Sequence, residues 1–93
     1  KNIYAGDILV HFNTVCHKNL LLSKERVEII EKCLDKPGRS VEDLKTAITN
    51  FSKDDWVDRP KHCDLIYAIG VRNKIDNFEK WFNFKSNNGF HKP

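Results

Sequence analysis

Apolar residues in this chain recur at steps of three and four along four separate stretches, and over no useful length do they alternate with period two. Helix side chains return to one face about every 3.6 residues, whereas strand side chains change face at each residue, so the pattern predicts helices. The stretches are Ile8, Leu9, Phe12 and Val15; Val27, Ile30, Cys33 and Leu34; Val41, Leu44, Ala47, Ile48 and Phe51; and Ile75, Phe78, Trp81 and Phe82. The expected fold class is all-α.

Capping chemistry supplies the boundaries. The first helix runs from Ile3 to Val15, with Gly6 weakening its first turn and Cys16 to Leu22 as a connector. Ser23 is a good N-cap, Glu25 suits the positive end of the helix dipole, and Leu22 with Val27 can form a hydrophobic staple. Pro37-Gly38 stops this second helix. Ser40 opens the third as a capping box with Asp43, and it extends to about Phe51. Ser52 to Cys63 reads as a polar loop with one helical turn around Trp56. Asp64 caps Leu65 to Ile69, Gly70 breaks that helix, Gly70 and Asn73 allow a tight reversal, and a last helix enters near Asn73. We expect one domain of four to five short helices over residues 1–85 and a frayed tail over 86–93, where Asn87-Asn88-Gly89 stands. Its core should comprise Ile8, Leu9, Phe12, Val27, Ile30, Leu34, Leu44, Ile48, Phe51, Leu65, Ile69, Ile75, Phe78 and Trp81.

A chain of 93 residues holds one core and is too short for two. No apolar run approaches the roughly 20 residues that span a bilayer. Three cysteines without short spacing argue against a disulfide framework and for a reducing, cytoplasmic setting. The chain begins at Lys1 and contains no Met, so a fragment of a longer protein is expected.

Histidines and cysteines first suggest a metal, but Cys16-His17 and His62-Cys63 are immediate neighbours, whereas zinc ligands come two to four residues apart so that both reach one ion. Packed cysteines and surface histidines are the expected reading. Asp54, Asp55 and Asp58 complete no oxygen-ligand loop, and neither a nucleophile–base arrangement nor a phosphate-binding glycine loop is present. No catalytic residue, metal or cofactor is therefore expected.

Sixteen basic against 13 acidic residues give a net charge of +3, too little by itself to mark a nucleic-acid binder. The surplus lies downstream of Asp64, where Arg72, Lys74, Lys80 and Lys85 are interleaved with Phe78, Trp81, Phe82 and Phe84. Such lysines can contact phosphates and such rings can stack on unpaired bases. Periodicity alone favours the plainer reading, an aromatic core stripe beside a solvated basic face. Trp56 in its polar loop is a lid over the core or an exposed partner-binding anchor.

Order and spacing add a further expectation. Phe12-Asn13, then Arg26 to Leu34, then Ser40-Val41-Glu42-Asp43-Leu44-Lys45-Thr46-Ala47-Ile48, then Trp56, Asp64-Leu65, and Ile75 with Phe78 stand in one sequence. From about Ile8 to Phe82 this resembles the conserved C-terminal module of phage and prophage replication-initiation proteins, the replisome-organiser and helicase-loader group that includes DnaD-like proteins. The departures are a short acidic loop before Asp64, where family members carry a longer Gly/Arg-rich one, and an Asn-rich tail. The resemblance implies a non-catalytic module that binds DNA and a replicative helicase or other primosome protein. Arg72, Lys74, Lys80 and Lys85 are the expected DNA contacts. The rivals are an interaction or oligomerisation domain using Trp56, Phe84 and Phe90, and a metal-dependent enzyme using His62, Cys63 and the acidic loop.

Overall fold

Local signals and the packing they permit agree over most of the chain. The computed structural model describes residues 2–54 and 62–84. Within them lie α1 (Asn2–Cys16), α2 (Lys24–Leu34), α3 (Val41–Ser52), α4 (Leu65–Ile69), β1 (Val71–Arg72), β2 (Ile75–Asp76) and α5 (Asn77–Phe82). The fold is helical, with one two-stranded hairpin among the described residues. The third helix packs on α1 and on α5, while α4 touches α2, α3 and α5.

The caps form as their residue types dictate. Arg26 N–H donates to Ser23 Oγ at 3.2 Å, and Asp43 N–H donates to Ser40 Oγ while Ser40 N–H donates to Asp43 Oδ2, both at 3.1 Å. Leu65 N–H donates to Asp64 Oδ1 at 2.6 Å. The end of α1 turns on His17, left-handed at φ 56°, with Lys18 N–H reaching Asn13 O at 3.0 Å. That six-to-one bond closes the helix as a Schellman motif does, here without glycine. Asn13 then holds the connector by both edges of its amide: Nδ2 donates to Leu20 O at 3.1 Å and Oδ1 accepts from Leu20 N–H at 3.0 Å.

The core gathers Ile8, Phe12, Ile30, Leu44, Ile48, Leu65 and Ile69, all essentially inaccessible, with Phe51, Phe78 and Trp81 packed around them. Small residues outside the expected core, Ala5, Cys33, Ala47 and Ala68, are buried too, because close helix approach needs short side chains at the crossings. Val27 and Leu34 pack at the margin, half-buried.

Three expectations are corrected. Ile75 is 56% exposed and lies outside the core. The last helix starts at Asn77, since Asn73 (φ 52°) and Lys74 (φ 66°) form a two-residue turn with both φ positive, which no right-handed helix contains. Val71 faces Asp76 and Arg72 faces Ile75 across the hairpin so made. Its strands are too short to give a period-two signal. Leu22, expected in a staple, is exposed. The turn expected around Trp56 and the tail over 86–93 lie outside the described residues, and among the described residues no helix is long and apolar enough to cross a membrane.

Candidate functional site

The hairpin sits where α4 ends and α5 begins, and that junction builds the candidate site, which holds two of the residues expected to bind. Helix α4 is only five residues long, so its last carbonyls need outside donors. Asn77 provides two, its N–H to Gly70 O and its Nδ2 to Ile66 O, both at 2.9 Å. Trp81 Nε1–H donates to Tyr67 O at 3.0 Å. Gly70 lets the chain turn so closely: a Cβ there would lie 2.5 Å from Ile66 Cδ1 and 2.9 Å from the Ile66 backbone.

Behind the hairpin lies an ion cluster. Asp76 caps α5 by accepting from Phe78 N–H at 3.2 Å, and its Oδ2 accepts from Arg39 Nη2 at 2.6 Å and Lys36 Nζ at 3.2 Å. The Arg39 side chain is only 7% exposed, lies 4.1 Å over the Phe78 ring, and donates to Cys33 Sγ at 3.3 Å. Burial pushes the Asp76 carboxyl up, but the Arg39 and Lys36 hydrogen bonds outweigh it and hold the group below the ordinary range. Burial pushes the Cys33 thiol up to about 11, which leaves it unreactive. A second clamp joins α2 to α4: Arg26 grips Asp64 with two bonds, Nε at 3.1 Å and Nη2 at 2.9 Å. Burial again raises this carboxyl, and the Arg26 and Leu65 bonds bring it below the ordinary range.

In front of the hairpin is a cleft of about 510 Å³ between α4 and α5, closed at its floor by Phe51 and Trp81. Arg72 and Lys80 both line it. The Arg72 guanidinium lies 4.8 Å from the Tyr67 ring centroid, and Lys80 Nζ lies 4.8 Å from that of Trp81. His62 meets Tyr67 edge-on at 4.9 Å, and Phe84 packs against Trp81 at 5.1 Å. Asp54 and Asn77 add polar lining. A ring that holds a cation over its face fixes that charge at low cost, so the cleft presents two positioned cations beside the carboxylate of Asp54.

Of the residues expected to bind DNA, Arg72 and Lys80 are brought together here. Lys74 is exposed on the hairpin turn and does not line the cleft. Lys85 and Trp56 lie outside the described residues, as do Asp55, Asp58 and Phe90. Phe84, a member of the alternative apolar patch, is half-buried against the core. Among the described residues no three His, Cys, Asp or Glu side chains are grouped to hold a metal ion.

Tyr67, His62 and Asn77 line the cleft without any periodicity or charge in the sequence that marks them as DNA contacts. Tyr67 carries a faint signal, as an aromatic two residues into a helix whose neighbours Leu65 and Ile69 take the core positions. Nothing in the chain announces that His62 and Arg72 converge on it. Comparison with protein-family models, with curated proteins and with solved structures yields no match to this chain.

Proposed function

We propose that this domain is a non-catalytic module of a phage or prophage DNA-replication initiation protein and that it binds DNA through the cleft between α4 and α5. The observation that carries the reading is the convergence of Arg72 and Lys80 on one aromatic-lined cleft, each cation held over a ring. The order of motifs from Ile8 to Phe82 supplies the replication context. Fixed cations suit phosphates, since less side-chain freedom is lost on binding than with free lysines.

The test is a titration of labelled DNA at several salt concentrations with the parent chain and with Arg72→Glu, Lys80→Glu. Both side chains are exposed and each change gives up one cation–π contact, so the double variant should lose no more than about 1–2 kcal/mol of stability and stay folded. Its affinity should fall at low salt, and the slope of log affinity against log salt should flatten by about one unit for each phosphate no longer neutralised. An unchanged slope in the folded double variant sinks the assignment to this cleft.

A contact with a replicative helicase or other primosome protein is the second part of the reading. One observation favours a protein contact: the neighbours Leu21 and Leu22 are 79% and 46% exposed on a connector tied back by Asn13 at Leu20 and by Arg26 Nη1, which donates to Leu21 O at 2.7 Å. Leu21→Asp should abolish capture of a purified helicase while leaving DNA affinity intact.

A further inference from the structure

We infer that the cleft between α4 and α5 takes an unpaired nucleotide, so that the domain binds single-stranded DNA in preference to duplex. The inference rests on the DNA-binding reading and deepens it. The cleft is concave and, at about 510 Å³, has the capacity of a small-ligand site. Its distinctive surface is aromatic: Tyr67 from α4 carries Arg72 over its ring and His62 at its edge. In a duplex the base faces are covered by their neighbours, and a protein reaches only groove edges and backbone. An aromatic and guanidinium surface inside a cleft is therefore accessible only to a base that has left the stack, and bases do stack on such rings and on arginine planes.

The charge lies where the backbone of that nucleotide would run. Lys80 approaches from α5 while Arg72 comes from the hairpin, so the aromatic pair and a phosphate-binding cation meet across one opening. Trp81, 6% exposed, is the floor and not a stacking partner. A convex basic face reading duplex phosphates would have spread its cations over the surface and needed no ring beneath each.

Fluorescence anisotropy with labelled oligothymidylate of about 12 nucleotides, and with a duplex of the same length, tests this at low salt. The single strand should bind at least roughly tenfold tighter. Tyr67→Leu keeps the backbone carbonyl that Trp81 uses and removes the ring; it should weaken single-strand binding by roughly five- to a hundredfold and duplex binding distinctly less, because there only the seating of Arg72 is lost. Arg72→Lys keeps the charge and removes the plane, so it should lower single-strand affinity with the salt slope preserved, and it reads the same point should Tyr67→Leu fail to fold. Equal affinity for strand and duplex, or full single-strand affinity in folded Tyr67→Leu, overturns the inference and leaves DNA binding standing. No binding of either nucleic acid overturns both. Displacement of the oligomer by micromolar thymidine monophosphate makes a free nucleotide the occupant and overturns the assignment to a strand.

Discussion

Lys74 occupies a backbone position that suits glycine. With φ at 66° its Cβ crowds the following carbonyl, a cost of roughly 1–2 kcal/mol for an L-residue, whereas Asn73 before it tolerates the same region better. Lys74→Gly should therefore stabilise the domain by about 0.5–1 kcal/mol once the greater freedom of glycine in the unfolded chain is offset, read as a raised thermal midpoint. A lowered midpoint would show that the hairpin turn is not the one described. Asp64 and Asp76 set the acid limit. Both carboxyls are held below their ordinary value in the folded state, so the unfolded chain binds protons more readily. Their contribution is present above about pH 4 and is lost as pH falls through their lowered folded values. Asp76→Asn should reduce stability at neutral pH and flatten the acid side of a stability-against-pH curve. An unflattened curve would place the acid transition elsewhere. Cys33 acts oppositely: with its thiol raised to about 11, stability is lost as pH climbs from about 9 through that value.

At the scale of elements, the junction of α4, hairpin and α5 behaves as one unit because its hydrogen bonds are shared. Gly70→Ala would drive a methyl against Ile66, whose backbone cannot give way without uncoupling Asn77 and Trp81 from α4. A loss of about 1–3 kcal/mol is expected in a denaturant melt. Amide exchange at Phe78 and Trp81 should rise along with it; protection unchanged at both would mean that α5 stands without the junction. The helices themselves are largely legible in the chain. Ser23, Ser40 and Asp64 each satisfy an orphan N–H within three residues, so the signal and the structure share one short stretch of sequence. Ile75 misleads for the converse reason. Its apolar type and its three-residue distance from Phe78 fit a helix, but Asp76 is drawn to Arg39 and Lys36, 37 and 40 residues away, and that pairing fixes Asp76 as the N-cap, so the helix starts at Asn77.

For the molecule as a whole, α3 is the axis. It carries Leu44, Ala47, Ile48 and Phe51 into the core and touches helices on both sides, α1 also through Asp7–Lys45 at 2.7 Å and His11–Thr49 at 2.8 Å. Leu44 has no accessible surface, so Leu44→Ala should cost about 2–5 kcal/mol, the range for a buried leucine whose cavity collapses only in part. A domain of this size commonly has about 5–15 kcal/mol in total, which makes that one change a large fraction of its stability. A loss below roughly 1 kcal/mol would remove Leu44 from the centre of the core.

Hydrophobic period and capping act over three or four residues, so the helical class, the caps and most of the core are written in the chain itself. The excess of positive charge downstream of Asp64 is written there too. Which of the charges meet a surface, and which are consumed by the fold, emerges only when the helices pack. Arg39 and Arg72 are the same residue type, yet one is buried against Asp76 and Phe78 while the other stands over Tyr67 at the cleft. That difference comes from contacts between segments distant in the chain: a buried cation must find its counter-charge, and Asp76 on the second strand of the hairpin provides it.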